Sequence, residues 1–555
     1  MEAPPNPVPV RVRHAGLWVL VAVVLLAAVG FDLIRRRPDP PPPADPAEHA
    51  SRLLEAGLER EAVGVLQEDA LAHPDDIAAH YAYISLALRR QSTRERYQHG
   101  DDHELLDFYE GLADTSDGSR RDIAHYALGL CWTLIGEPGR ALSAFDSVAN
   151  RHLPYLNNSE GRARLGLGMT AQAESLFRVE VRLGYNVAGA VHNLADLAVA
   201  QGDWKALRTL LADRRTAAYV PPATYRLLLL HQGRLLEYLP AFLATYRMPF
   251  TWPHVLIALF CGLIWFLLIR WWDLFEKEPL WLCVLTVVGG FVVANGVYAV
   301  NDAVSLVASV GPTGQAVHDY LYYFAAVGIV EETLKLVPVA LVFLLTRHID
   351  EPLDWLIYAC LSALGFALSE NYENLSLRGL HVGISRVFFT TPFHLTLSGL
   401  AAMSIPEARF RGQSPVRGLI IALPIVAVVH GTFDFLADWN GGAFSILNLG
   451  ILIVWGVAFM ECVNLLGTVS PFRKMLERAR FIALPWLIAA FGALCFGIFA
   501  VNASRLPHDV ATELFKSDVS SGVIIVGVLW IYTRLRIGAA SDPRPVQWRR
   551  SEPPV

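Results

Sequence analysis

Apolar and polar positions divide the chain into three regimes. Residues 17–34 form one apolar run, opening Leu17-Trp18-Val19-Leu20 and flanked by Arg11 and Arg13 before it and by Arg35, Arg36 and Arg37 after it. The run is long enough to cross a bilayer. No small-x-small cleavage site precedes the three arginines, so it reads as an uncleaved anchor helix rather than a signal peptide. Residues 38–47 are rich in Pro and Asp, a stiff extended linker. From 48 to 248 charged and apolar positions alternate with a helical period, and no run is long enough to span. From 252 onward apolar runs return and predict nine spans, near 252–270, 279–300, 320–345, 353–375, 384–405, 415–437, 443–466, 481–502 and 520–536.

The middle regime repeats. Gly136 with Ala141, Gly168 with Ala173 and Gly202 with Ala206 recur at intervals of 32 and 34 residues, with Gly57, Ala62 and Gly233 as outer members of the series. A Gly at a helix–helix turn, followed by a small residue where two helices touch, predicts stacked tetratricopeptide-like pairs; a generic helical bundle is the competing reading. The expected fold class is therefore all-α: a polytopic membrane helix bundle with an N-terminal anchor helix and a soluble helical repeat domain. The expected boundaries are 1–47 for tail, anchor and linker, 48–248 for the repeats, 249–540 for the membrane domain and 541–555 for a cytoplasmic tail.

Composition narrows the class. The chain has 555 residues, of which 54% are hydrophobic and 18% charged, and its mean hydropathy is +0.37. The formal net charge of −6 and the lack of a long basic run give nucleic-acid binding no electrostatic support. Five of the six cysteines fall in apolar runs, and Cys131 stands alone in the repeat region, so no disulfide is expected within it. Lys and Arg collect in alternate loops: Arg270 and Lys277, Arg347, Arg409 with Arg411 and Arg417, then the loop 470–480 and the C-terminal tail. By the positive-inside rule the C-terminus is cytoplasmic, which puts the repeat domain outside a multi-pass protein of the cell (inner) membrane.

Against this apolar background a few ionisable groups stand out. A carboxylate at the bilayer centre costs roughly 3 kcal/mol to insert, yet Glu331 and Glu332 lie side by side with Lys335 one turn on. The next three predicted spans carry Glu370 with Asn371, His394, and His430 with Asp434. Glu331 and Lys335 share a helix face, as do His430 and Asp434. Counted from the predicted span ends, Glu331, Glu370, His394 and His430 fall in the central or outer part of the bilayer, so a shared site opening outward is geometrically possible. Two chemistries fit. In one, His394, His430 and Glu370 hold a metal such as Zn2+ with one open position, and Glu331 is the base on the bound water. In the other there is no metal: Glu331 activates water directly while His394 and His430 stabilise the oxyanion and shuttle protons. Lys335 offsets the glutamate pair in both, and Asp434 orients His430.

Three motifs carry a family resemblance. Glu331-Glu332-Thr333-Leu334-Lys335 resembles the E-E-x-x-K motif of the PrsW-type intramembrane proteases, Phe366-Ala367-Leu368-Ser369-Glu370 their F-x-x-x-E motif, and His430-Gly431-Thr432-Phe433-Asp434 their H-x-x-x-D motif. These proteases are related to a wider superfamily of CAAX prenyl endopeptidases and bacteriocin-processing enzymes, whose second motif usually carries His; Glu370 favours the PrsW branch. The resemblance covers roughly residues 260–465. It implies a membrane-embedded peptidase with Glu331, Glu332, Glu370 and His430 as essential residues, similar to enzymes that cut membrane-anchored regulators such as anti-sigma factors.

The chain thus reads as an intramembrane endopeptidase acting on a membrane-anchored protein, with Glu331, Glu332, Glu370, His394 and His430 as catalytic residues and Lys335, Asn371 and Asp434 in support. A peptide or protein ligand is expected for the repeats, which form concave surfaces. Two rivals remain in view: a non-catalytic receptor or scaffold that binds through the repeats, and an ion-coupled transporter, which ranks last because the two halves show no hydropathy symmetry.

Overall fold

The computed structural model describes residues 10–100, 103–245, 251–273, 276–306, 311–410, 414–439, 446–469 and 483–534. The expected tail 541–555 and the basic loop 470–480 lie outside them. Every regular element among the described residues is helical.

Residues 46–245 form a succession of short helices, from Pro46–Glu55 and Glu59–Ala72 to Pro222–His231 and Leu235–Thr245. Gly57, Gly136, Gly168, Gly202 and Gly233 all take left-handed φ at the turns between them, where a residue with a Cβ would be strained. Small residues admit close neighbours inside the pairs. A Cβ at Gly129 would lie 2.4 Å from Phe145, and one at Gly161 2.5 Å from Phe177. The same contact therefore recurs 32 residues on.

Each predicted span coincides with a helix. The described order is Trp252–Trp272, Leu280–Ser305, a broken helix from Ala316 to Leu345, Pro352–Arg378, a second broken helix ending at Phe410, Pro415–Trp439, Ile446–Val469 and Ala483–Ala503. The last crossing begins earlier than expected. Residues assigned to an outer loop form helix His508–Ser520, which leads at once into Gly522–Tyr532. Its Phe515 packs on Phe31 of the anchor helix and on Phe499, burial that a loop would forgo.

Pro352–Arg378 is the centre of the bundle. Pro352 starts it, and Glu351 and Asp354 close a capping box around its first turn. It crosses Leu280–Ser305 through reciprocal glycines. A Cβ on Gly365 would lie 1.8 Å from the Val287 carbonyl oxygen, and one on Gly290 1.9 Å from the Ser362 carbonyl oxygen. Gly328 against Ala427, and Gly431 against Phe324, make a second such crossing. Trp265 and Trp272 are fully buried and donate indole hydrogen bonds to the Val387 and Tyr532 carbonyls, tying the first span to the His394 element and to the last helix.

The repeat module docks on one end of this bundle. Glu55 sits 2.7 Å from Arg505 and 3.3 Å from His254, and a Cβ on Gly379 would meet the Glu55 carbonyl oxygen at 2.3 Å. On the other side Arg226 forms a buried two-pronged pair with Asp302, at 2.7 and 3.1 Å.

Candidate active site

Both broken helices change pitch just before a residue of interest. The chain is π-helical over Tyr323–Ile329 and resumes α-helix at Val330, so Glu331 and Glu332 lie in the first turn of Val330–Leu345. It is π-helical again over Arg386–Thr390, and His394 follows in the first turn of Thr391–Phe410. A π turn holds an extra residue, which re-aims the side chains after it and is frequent at functional sites. Pro392 takes a place near the start of its helix, where a missing N–H costs little.

Lys335 is the hub. It is fully buried, and its Nζ donates to Glu332 Oε1 at 2.8 Å, to His394 Nδ1 at 2.8 Å and to Glu331 Oε2 at 3.2 Å. Its ammonium stands 4.3 Å from the Phe366 ring centroid, a cation–π contact. Glu332, also fully buried, accepts in addition from Ser398 Oγ at 2.8 Å and pairs with His430 Nδ1 at 2.9 Å. Its Nε2 faces Asp434 Oδ2 at 3.4 Å and Glu331 Oε2 at 3.7 Å, so carboxylates bracket the ring at both nitrogens. The His394 and His430 rings lie 5.2 Å apart, edge to face.

Glu370 stands on the far side of His394, its carboxylate 2.9 Å from both His394 Nε2 and Arg386 Nη2. Both contacts are ion pairs within the protein interior. Arg386 is steadied by Asn371, whose Oδ1 accepts from Nε at 2.8 Å while Nδ2 donates to Thr391. Asn371 therefore supports Arg386 rather than the carboxylate–imidazole group.

The structure brings Glu331, Glu332, Lys335, His394, His430 and Asp434 together, with Glu370 beside them. It differs over which residues form a ligand set. The three donors that converge within 4.8 Å are Glu331, His394 and His430; Glu370, expected as the third ligand, is drawn aside by Arg386. Three partners escaped the sequence. Ser398 lies four residues from His394, on the same helix face, which was its available signal. Arg386, and Ser362, whose hydroxyl donates to the Lys335 carbonyl at 2.6 Å, carry no sequence signal that sets them apart.

The donor set suits a divalent ion. Four carboxylates, Glu331, Glu332, Glu370 and Asp434, and two imidazoles surround the fixed cations Lys335 and Arg386. Ligation by His394 would displace either Lys335 from its Nδ1 or Glu370 from its Nε2.

Fold and site together define a polytopic helical membrane protein with a carboxylate–imidazole centre enclosed between its spans. Residues 278–461 match the model of the family described as PrsW family intramembrane metalloprotease. Among curated proteins, the chain is 31% identical over 145 residues to Protease PrsW of Clostridioides difficile, covering 24% of this chain and 59% of that protein. It is 27% identical over 121 residues to Protease PrsW of Bacillus subtilis, covering 21% and 56%. Against Protease PrsW of Oceanobacillus iheyensis it is 21% identical over 183 residues, covering 33% and 81%. The chain thus spans a little over half the length of the first two relatives. No solved structure matches it.

Proposed function

We propose that this protein is an intramembrane endopeptidase that cuts a membrane-anchored protein, with Glu331 as the base that activates water. The observation that carries the assignment is the contrast among the carboxylates. Glu332 has its oxygens taken by Lys335, Ser398 and His430, and Glu370 is held by Arg386. Glu331 accepts from Lys335 at 3.2 Å and lies 3.7 Å from His430 Nε2, between the ammonium and the imidazole. A water between Glu331 and His430 Nε2 gives up its proton to Glu331 as it attacks the peptide carbonyl. Glu331 then passes that proton by way of His430 to the leaving amine as the C–N bond breaks, with Asp434 and Glu332 stabilising the imidazolium. Lys335 holds both glutamates in place through the cycle. A divalent metal such as zinc, if held by Glu331, His394 and His430, would supply Lewis acidity at the water and would make Glu331 a ligand in place of its role as base. The repeat module, set outside the cell membrane in this reading, recruits or gates the substrate; an anti-sigma-type regulator fits as a single-span protein with a short outer segment.

Purified Glu331→Gln in lipid nanodiscs tests the assignment against a panel of single-span reporter proteins. Cleavage is lost while folding, read by thermal unfolding, is kept. A Glu331→Gln protein that still cuts as the parent does removes Glu331 as the base.

A further inference from the structure

Helix Leu235–Thr245 closes the repeat module, and its two long faces are both apolar. At about 100° per residue, Tyr238 and Phe242 fall on one face and Leu235, Leu236, Leu239 and Leu243 within a single arc beside it. The first face is docked: Phe242 is buried, and the Tyr238 hydroxyl donates to Asp302 at 3.0 Å. The leucine arc is bare, with Leu236 at 94% exposure and the other three between 58% and 63%. Elsewhere in the module exposed large apolar side chains are scattered, as at Leu71 and Phe108. An apolar arc of four leucines on one helix calls for a partner.

Two observations identify that partner as lipid. Asp302 lies in the last turn of Leu280–Ser305, so its bonds to Tyr238 and Arg226 hold the helix level with the end of a membrane span. Arg226 is almost wholly buried in that clasp and lies over the Phe242 ring, which makes the anchorage rigid. Seven residues after the helix the first span begins at Trp252. It opens an exposed stripe, Trp252, Leu256, Leu259, Leu263 and Leu267, which is the lipid-facing side of that span. The leucine arc precedes this stripe in the chain and is pinned at its depth. Glu237 points away from the arc and pairs with Arg234, as a polar edge turned to water would.

We propose that helix Leu235–Thr245 is an interfacial helix, lying in the headgroup layer with its leucine arc against the acyl boundary. The proposal rests on residues from 252 onward lying in a bilayer. It gives the repeat module a fixed seat on the membrane surface, so that its groove is held at the height of a juxtamembrane segment rather than free in solution.

The test uses the full chain in lipid nanodiscs, bimane-labelled at Leu236→Cys or Leu239→Cys, with Leu71→Cys and Leu263→Cys as water-side and lipid-side references. Unsubstituted protein sets the background from the native cysteines. Expected is quenching by shallow doxyl lipid that exceeds quenching by aqueous iodide by about twofold or more at both leucine sites, the order reversed at Leu71. Iodide quenching equal to that at Leu71 overturns the proposal, and so does protection from both quenchers, which would mean that protein, such as a second copy, covers the arc. Lipid quenching at Leu263 without any at Leu236 and Leu239 defeats this proposal alone. Its absence at Leu263 as well defeats the bilayer reading beneath it.

Discussion

Gly365→Ala isolates the contact that places Glu370. The added Cβ would lie 1.8 Å from the Val287 carbonyl oxygen and 2.7 Å from the Phe291 nitrogen. Real Cβ contacts essentially never fall under 3.0 Å, so the two backbones must part by at least 3.0 − 1.8 = 1.2 Å. Neither neighbour is a side chain that could rotate away, and both helices are long. Overpacking of this kind costs about 1–3 kcal/mol. Glu370 lies five residues further along the same helix, against His394, and a misplacement of about 1 Å passed on to the site costs on the order of 10²-fold in rate. The assay pairs thermal unfolding in nanodiscs with turnover of a single-span reporter. Gly497→Ala is the control, a glycine inside a span with nothing within 4 Å of its Cβ; it should keep full activity. Gly290→Ala should behave as Gly365→Ala does, and the double variant should lose less than the sum, because one separation relieves both clashes. Parental melting and turnover in Gly365→Ala would refute the idea that direct backbone contact between these helices sets the position of the carboxylate.

Three further outcomes follow from the same geometry. Lys335→Met leaves two buried glutamates without their shared cation and should cost about 3–5 kcal/mol, read by denaturant unfolding in micelles; unchanged unfolding counts against a charged hub. Ser398→Ala strips a donor from the fully buried Glu332 and should cost about 1–3 kcal/mol, with turnover falling as His430 loses its steady partner; an inert Ser398→Ala would make that hydrogen bond incidental. At the docking surface, His254 first and Arg505 after it hold the Glu55 carboxyl below its ordinary value, against the opposing effect of burial. A depressed carboxylate stabilises above its unfolded value of about 4.3 and loses that contribution as pH falls through the lower folded value. Hydrogen exchange over residues 46–58 should therefore quicken below about pH 4, and Arg505→Gln should move that onset upward; exchange indifferent to acid would detach Glu55 from docking.

Much of this arrangement was legible in the residues. Hydropathy located the eight helices that are long and apolar enough to cross a membrane among the described residues, because lipid demands apolar surface wherever a helix touches it. The turn glycines at 57, 136, 168, 202 and 233 announced themselves through a shared period, and left-handed φ is what that spacing anticipates. The convergence of Glu331, His394 and His430 was foreseeable because nothing else explains such groups at bilayer depth. The ligand set was not. It depends on two π segments, and a one-residue change of pitch leaves no compositional mark. A regular 3.6-residue period therefore could not say which imidazole each glutamate meets: Glu370 lies 2.9 Å from His394 and Glu331 3.7 Å from His430. Arg386 was misleading for a related reason. Near a span end an arginine ordinarily reaches for water, whereas here Asn371 and Glu370 turn it inward.

Pro352–Arg378, which carries Glu370 and Asn371, is the least apolar of the candidate spans among the described residues, and the reason is physical. Leu280–Ser305 has a mean hydropathy of 2.1 with 33% of its span window buried, whereas Pro352–Arg378 has 1.4 with 89% buried. A helix ringed by other helices meets little lipid, so Ser362, Glu370 and Asn371 can sit on it without the lipid-exposure cost that Leu280–Ser305 would incur. Val330–Leu345 faces a harder problem, because it must enter the membrane with Glu331, Glu332 and Lys335 before its neighbours can shield them. Its own spacing eases this. Lys335 lies three and four residues from the two glutamates, within reach of both along one helix. The segment can thus enter lipid as one compact charge group with a net charge of −1 instead of three separate ions, and an unpaired ion at the bilayer centre costs roughly 3 kcal/mol. Moving the lysine by two residues would keep the composition and destroy that pairing. The E-E-x-x-K order therefore serves membrane insertion as well as the finished site.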